Sequence, residues 1–599
     1  MNKELKIKKQ NNAPANLEKN ELLTLFPAGL FSALLLLVPV FLDIKLTRPK
    51  LMLLEFGLYG ILFIWLFINL YYGKIKIKKT PIFIPVIIYL SVVSLFYYFS
   101  PDKPVALNEF KRALLSFAGY FVAANAINSE KQRRLVIAGW ITGAAIAVLY
   151  GILQHFGGIK YMIMVPQMER SMSTFGNPIF FAVFLVATLP IALSIFFSSR
   201  NKSVKGLIFL FLVLGLIALY YTKTRAAYIG FSVSLVFFFW LNVKSKRTKL
   251  IFLSLFILLA GFFVYKTKNV WARQQAHVLI WRDTLNMWSK SPWFGTGPGT
   301  FHIYFPKYAS EELKKLWPQG QFIVNDAHNE YIQYLSETGI VGFGIFAWLL
   351  LSFFINAFKI SGRFSGNQKF MASGLIASSS GVLAQNFFSA DMRFIISAVY
   401  LFIVMGLFDS YNDGFWVKEK ISKVLRYIVF GVLAVCAYFL FYQTAKPYTA
   451  QKKVAETPDF FDQKVLEPAK TVASLLEIAK KYPNQALVYE KLGWVNAKEK
   501  NWPEAIKNYV KAGELNPNNP GPFNNLGNIY FLMGERQKAI EYWAQSIIIN
   551  PKQVDSRLNL ATAYFYQGRL KEAVDQLKEV LKIDPNNEKA IVMLKQMTE

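Results

Sequence analysis

The sequence has one cysteine, Cys436, and four histidines, His155, His277, His302 and His328, among 599 residues. A single thiol excludes an internal disulfide and any cysteine-based metal site within one chain. Acidic residues are also scarce. Asp and Glu number 37 against 67 Lys and Arg, a net charge of +30, and no aspartate-rich metal motif occurs. Long polar stretches are missing from most of the chain. Hydrophobic residues make up 54% and aromatic residues 16%. Apolar runs of membrane-spanning length recur from Thr24 to about Tyr442, so the length is not that of a string of soluble domains.

The excess positive charge is unevenly placed. Residues 444–599 hold 22 Lys and Arg against 18 Asp and Glu, a net +4, which leaves +26 for the apolar part. Basic residues flanking membrane helices on the cytoplasmic side account for that excess. No basic patch with interleaved aromatics stands apart from those flanks, so nucleic acid is not an expected partner.

Spans are predicted near 24–43, 51–72, 81–99, 111–127, 135–156, 178–198, 206–221, 226–242, 249–265, 331–357, 370–389, 394–409 and 427–443. The fourth and eleventh are the least apolar. A Lys-rich tail, residues 1–23, precedes the first. No small-residue cleavage motif follows that run, so it is expected to remain as an anchor. With the N-terminus in the cytoplasm, the inside loops carry Lys74, Lys76, Lys78 and Lys79, then Lys131, Arg133 and Arg134, then Arg200, Lys202 and Lys205. They continue with Lys244, Lys246, Arg247 and Lys249, with Lys359, Arg363 and Lys369, and with Lys418, Lys420, Lys423 and Arg426. Outside loops are sparser, Lys45, Arg48 and Lys50 excepted. This orientation places a long loop, 266–330, outside, and an odd number of spans places the C-terminal part outside as well.

That C-terminal part has a period of 34. Leu492-Gly493, Leu526-Gly527 and Leu560-Ala561 recur at it, as do Ala505, Ala539 and Ala573, and Pro517, Pro551 and Pro585. Small residues allow two helices to approach, and each proline ends the second helix of a unit. The pattern resembles tetratricopeptide repeats over about 485–588, within a domain taken as 485–599. A linker and a degenerate leading helix at 466–481 fill 444–484. Such repeats stack into an α-solenoid whose concave face usually holds a peptide or protein partner, although a spacer role is the alternative.

Five segments on the expected outer side could carry chemistry. Arg225, in Thr222-Lys223-Thr224-Arg225, sits in a short turn between spans, where a guanidinium can grip an anionic headgroup or simply snorkel to lipid phosphate. Arg282 lies in a stretch whose Trp281, Leu285 and Trp288 spacing suggests a helix against the membrane; a pair with a neighbouring acid is its alternative. The segment Pro-Trp-Phe-Gly-Thr-Gly-Pro-Gly-Thr-Phe, 292–301, could present N–H groups to phosphate. Pro298 has no N–H and no Lys-Ser/Thr follows, so a tight turn shaping the site is the better reading. In Asn325-Asp326-Ala327-His328-Asn329-Glu330-Tyr331, Asp326 reads as an N-cap and His328 as a first-turn residue held neutral by the helix N-terminus. No comparable setting surrounds the other histidines. Glu169-Arg170, before Ser173-Thr174-Phe175-Gly176-Asn177-Pro178, could add a further cation.

In this order the segments resemble the O-antigen ligase and polymerase family. The matching pieces are Thr222-Lys223-Thr224-Arg225 after a span, Arg282 with the glycine-rich turn, and His328-Asn329-Glu330-Tyr331 opening the next helix. The likeness covers 170–350 in motif and 24–410 in layout. It implies an all-α, polytopic, GT-C-like bundle of about 12–13 spans, with a C-terminal tetratricopeptide solenoid. It further implies a metal-independent, inverting glycosyltransferase in the bacterial inner membrane that needs no cofactor and faces the periplasm. The implied donor is a glycan on undecaprenyl diphosphate, with Arg225, Arg282 and Arg170 on the diphosphate and His328 essential. Thr224, Asn329 and Tyr331 would support them; Thr224 stands where the family has serine and keeps the hydroxyl. Lipid A core sugar, the growing glycan and a protein hydroxyl remain open as acceptors. These correspond to a ligase, a polymerase and an oligosaccharyltransferase. A transporter or repeat-bearing scaffold is the rival from another class, but it would be expected to hold ionisable groups at mid-membrane depth, and the spans hold few.

Overall fold

A computed structural model describes residues 13–41, 49–100, 103–159, 163–164, 168–251, 254, 275–315, 324–456 and 468–598, apart from 74, 325, 413, 419–420, 484, 518 and 551–552. Most of residues 1–441 form one compact unit, and 442–599 make up the bulk of a second.

The first unit is a bundle. Its helices are α1 (Ala13–Leu37), α2 (Pro49–Tyr71), α3 (Phe83–Phe99), α4 (Lys103–Asn125), α5 (Glu130–Phe156), α6 (Pro178–Ser198), α7 (Lys202–Tyr221) and α8 (Arg225–Asn242). They are followed by α9 (Gln275–Ser289), α10 (Glu330–Ser361), α11 (Gly366–Gln385), α12 (Ile395–Asp409) and α13 (Lys423–Glu456), which runs out of the unit. Twelve of the thirteen expected spans coincide with helices; the ninth, 249–265, falls mainly outside the described residues. Among the described residues, seven helices are long and apolar enough to cross a membrane, and three shorter apolar ones join them. Helices α4 and α11 do not reach that apolarity. The reason is in their side chains: α4 carries Glu109, Lys111 and Arg112, and α11 is rich in serine and glycine.

Small residues let the helices approach. Ser378 of α11 donates to the Ala187 carbonyl of α6 at 2.6 Å, and a Cβ at Gly230 of α8 would lie 2.6 Å from the Gly381 carbonyl of α11. With no hydrophobic drive between helices in lipid, such backbone proximity is a main source of association. Outward faces stay apolar, as at Leu207 and Phe209 on α7 and Val424 and Tyr427 on α13. Lipid, not water, is the solvent that such faces suit.

The loops gather at two ends. At one, β1 (Ile75–Lys78) pairs antiparallel with β4 (Phe415–Lys418), Ile75 opposite Lys418. Lys78 Nζ donates to the Ser410 and Asn412 carbonyls at 2.7 Å, and Arg133 Nη1 donates to Ser410 O at 3.3 Å. Cations at the last carbonyls of α12 suit the negative end of its dipole. Three of the lysine-rich loops are thereby joined. At the other end, Ser171 N–H donates to Tyr221 O and Glu330 N–H donates to Asn386 O, both at 3.0 Å. A two-stranded ribbon, β2 (Gly158–Ile159) with β3 (Ile163–Met164), follows α5.

The second unit is a stack of helices: α14 (Pro468–Lys481), α15 (Ala486–Lys498), α16 (Trp502–Leu515), α17 (Pro520–Leu532), α18 (Arg536–Ile549), α19 (Val554–Tyr566), α20 (Leu570–Ile583) and α21 (Glu588–Thr598). The 34-residue landmarks lie inside it. Ala505, Ala539 and Ala573 are fully buried, and a Cβ at Gly493 would lie 2.8 Å from the Tyr509 ring. The all-α bundle with a tetratricopeptide solenoid is the observed fold class.

Candidate active site

Helix α10 starts two residues after His328. Asn329 is its N-cap, with Oδ1 accepting from the Tyr331 and Ile332 N–H groups at 3.0 and 3.1 Å. Asp326 is therefore not the cap, and His328 is not in the first turn. His328 instead takes φ +50°, a left-handed conformation that costs a non-glycine residue about 1–2 kcal/mol. Asp326 offsets that cost. Its Oδ1 accepts from the His328 N–H at 2.9 Å and lies 3.0 Å from His328 Nδ1. The resulting carboxylate–imidazole pair leaves Nε2 as the ring's outward nitrogen.

Burial alone would depress the His328 pKa. The Asp326 hydrogen bond and charge, helped by the Asp391 carboxylate, more than reverse this, and the pKa is raised above the usual imidazole value. The expectation of an imidazole kept neutral by a helix N-terminus is thus corrected: a neighbouring carboxylate governs it. Burial also pushes the Asp326 carboxyl upward, but the hydrogen bond to His328 outweighs that and leaves it lowered. His277 has a setting the sequence did not reveal. Its ring stacks on His328 with centroids 4.6 Å apart, and burial, with the His328 charge, lowers its pKa.

Helix α9 supports this segment. Trp281 Nε1 donates to Ala327 O at 2.9 Å, one turn along from His277. Arg282, the next residue, is directed elsewhere: its Nη2 donates to Ser310 Oγ at 3.0 Å and its Nε lies 3.3 Å from Asp283 Oδ1. Asp283 in turn accepts from Ser310 N and Oγ at 2.8 Å. Arg282 thus has the acidic neighbour that its structural reading anticipates, while its side chain stays 54% exposed.

Arg170 is bound to the turn between α7 and α8, just before Arg225. Arg170 Nε donates to Thr222 O at 3.0 Å and Nη2 to Thr224 Oγ1 at 3.4 Å. Thr224 is the N-cap residue of α8 but makes no side-chain cap bond; its hydroxyl faces Thr222 O and Arg170. Lys223, at φ +50°, pairs with Glu169 at 2.7 Å, and this hydrogen bond lowers the Glu169 pKa. Arg225 is the first residue of α8 and is exposed. Gly230, five residues or about 7.5 Å further along the axis, touches Gln385 at the end of α11. The next residue, Asn386, accepts from Glu330 N–H. The guanidinium turn and the His328 segment therefore share one end of the bundle.

Tyr331 serves packing there, with its hydroxyl donating to Leu383 O at 2.7 Å and its ring 4.3 Å from Phe387. The glycine-rich segment is a tight turn. From Gly295 on, its N–H groups are already bonded within the protein, among them Thr296 to Ser336 O, Gly297 to Glu337 O, and Gly299 and Phe301 to the Glu337 carboxylate. Reasoning from the sequence also missed Glu109, Arg112, Glu337 and Arg393, which form a buried ion-pair cluster beside Glu330. The one available signal was charge inside otherwise apolar segments.

Residues 210–347 match the family described as O-antigen ligase, whose members are membrane-associated. Residues 497–534 and 522–586 match two tetratricopeptide repeat families. No curated protein matches the chain. Solved structures similar to part of it include the Arabidopsis OM64 TPR domain, at 26% identity over 19% of this chain and 93% of that one, with a TM-score of 0.18. The first TPR domain of human RPAP3 is 27% identical over 19% and 91%, with a TM-score of 0.19. A thermophilic TPR protein of Thermus thermophilus is 20% identical over 29% and 94%, with a TM-score of 0.22. The chain thus carries an O-antigen ligase family domain within its helix bundle and tetratricopeptide repeats at its C-terminus.

Proposed function

We propose that this protein is an inner-membrane glycosyltransferase that moves a glycan from undecaprenyl diphosphate to an acceptor hydroxyl at the periplasmic face. The O-antigen ligase match supports a membrane enzyme of that family. The observation that carries the finer reading is the Asp326–His328 pair at the bundle end that also bears Arg170 and Arg225.

The chemistry follows from charge and proton balance. The acceptor oxygen attacks the anomeric carbon while the bond from that carbon to the diphosphate oxygen breaks. The bonding pair leaves with the diphosphate, and a single displacement inverts the centre. His328 Nε2 takes the acceptor proton, and Asp326 holds Nδ1–H and stabilises the imidazolium that forms. Arg225 and Arg170 offset the charge developing on the leaving group; Arg282 would join them only by leaving its contacts with Asp283 and Ser310. The donor is already activated, and none of these steps routes through a metal. The tetratricopeptide repeats add a surface for a protein partner.

The test is deletion of the gene in its host, followed by complementation with His328→Ala, Arg225→Ala and Arg282→Ala. Surface glycans and glycoproteins are then resolved on gels. Loss of a lipid-borne glycan ladder identifies a ligase, loss of chain length a polymerase, and loss of protein glycan an oligosaccharyltransferase. Full complementation by all three variants refutes the proposal.

A further inference from the structure

Between the His328 segment and the glycine-rich turn lies a cluster that the mechanism does not use. It consists of Glu109 and Arg112 from α4, Glu330 and Glu337 from α10, and Arg393 from the short turn before α12. Two guanidiniums face three carboxylates, and both α10 carboxylates are 1% exposed. Desolvating five charges is costly for each ion before pairing offsets it, and apolar side chains of similar volume often serve stability as well or better. The pairing is also incomplete. Arg393 Nη2, Arg112 Nε and Glu330 Oε2 are buried without a hydrogen-bond partner. Stability alone does not account for the cluster.

Its connections do. Arg393 Nη1 lies 2.7 Å from Glu337 Oε2, and Nε lies 3.6 Å from Glu330 Oε1. Glu337 accepts from Gly299 N–H at 2.7 Å, Phe301 N–H at 3.1 Å and Gln333 Nε2 at 3.2 Å, so it holds the glycine-rich turn. Glu330 follows His328 by two residues, and its N–H is fastened to Asn386. Arg393 also exerts its charge on Asp326, the partner of His328.

We infer that Arg393 is a positioning residue for the His328 centre, clamping the start of α10, through Glu330, to the glycine-rich turn, through Glu337. The inference rests on the proposed transferase reading. Without the clamp the Asp326–His328 pair loses its fixed place, and a displacement near 1 Å is enough to cost on the order of 100-fold in rate.

The experiment uses the full chain in membranes of the deletion host, which contain the acceptor. Lipid-linked glycan extracted from that host is added, and the initial rate of undecaprenyl diphosphate release is measured. Arg393→Met alone strands the Glu337 charge and lowers the unfolding temperature. Arg393→Met with Glu337→Gln removes one charge of each sign and recovers part of that temperature, the amide oxygen keeping one of the two N–H bonds to the turn. The expected result is that the double variant still turns over about 100-fold more slowly, with the KM for lipid-linked glycan changed less than threefold. Arg393→Lys keeps the charge but not the planar fork, so it stays folded and loses about tenfold. Purified variants labelled with 15N-histidine supply a readout besides activity. The His328 midpoint, which feels Asp326, Asp391 and His277, moves down toward free imidazole in the double variant. A folded double variant with turnover within threefold of wild type overturns the inference, as does a folded Arg393→Lys with full turnover. If the double variant does not refold, Arg393→Lys decides. Should His328→Ala keep the wild-type rate, the transferase reading fails by itself, and the histidine titration still reports whether Arg393 positions His328.

Discussion

The Trp293 carbonyl occupies the space where a Cβ on Gly339 would stand. Gly339 takes φ +64° and ψ −171°, a region essentially closed to other residues, and α10 breaks there. Ile340 N–H donates to Pro292 O at 2.8 Å and Val341 N–H to Trp293 O at 3.1 Å, so the glycine-rich turn fills the break. The break separates a polar segment carrying Glu330, Gln333 and Glu337 from an apolar one that begins at Ile340.

Gly339→Ala combines a forbidden backbone conformation with a backbone clash. The expected loss is about 2–4 kcal/mol of stability, read as a lower unfolding temperature of the purified chain. A change below about 0.5 kcal/mol, the range of neutral surface substitutions, would contradict this account of the break.

Asp326→Asn tests the carboxylate–imidazole pair through pH. The His328 pKa is raised above 6.5 by Asp326, and the proposed base must be neutral to accept a proton. Activity should therefore rise with pH through a limb lying above 6.5. The asparagine variant loses the charge that raises the pKa, so the limb moves to lower pH while the plateau falls by about 10–100-fold from lost orientation. An unmoved limb assigns the titration to another group.

At the guanidinium turn, exposure separates function from stability. Arg225 is exposed at the start of α8, so Arg225→Ala should leave the unfolding free energy within about 0.5 kcal/mol of wild type while slowing transfer by at least tenfold. Thr224→Ser keeps the hydroxyl that Arg170 engages and should retain activity; Thr224→Val should not. Equal activity in the serine and valine variants removes the hydroxyl from the argument.

In the repeats, a Cβ at Gly527 would lie 2.5 Å from the Trp543 indole. Gly527→Val should cost about 2–3 kcal/mol through overpacking and expose 485–599 to limited proteolysis. Wild-type protease resistance would show that the ring can move aside.

Tyr331→Phe removes one hydrogen bond to Leu383 O and should cost about 1 kcal/mol without a large effect on turnover. A hundredfold loss of turnover would place the hydroxyl at the reacting atoms instead.

The helical fold was legible because each span had to satisfy its own backbone in an apolar medium, and hydropathy reports that requirement directly. The 34-residue landmarks were legible for a related reason, since each small residue answers one helix contact. Expected spans 111–127 and 370–389 were harder to read. Helix α4 tolerates Glu109 and Arg112 only because partners from α10 and the Arg393 turn neutralise them, and no local pattern announces partners more than 200 residues away.

From sequence alone came the bundle, the repeats, the family likeness and the candidates His328, Arg225, Arg282 and Arg170. Tertiary structure decided how they are arranged: that Asn329 and not Asp326 caps α10, that Asp326 grips His328, that His277 stacks on it, and that Arg170 binds the turn leading into Arg225. The division has a physical cause. Burial and helix formation depend on near neighbours in the chain, whereas the protonation and placement of a side chain depend on charges that only folding brings within a few ångströms.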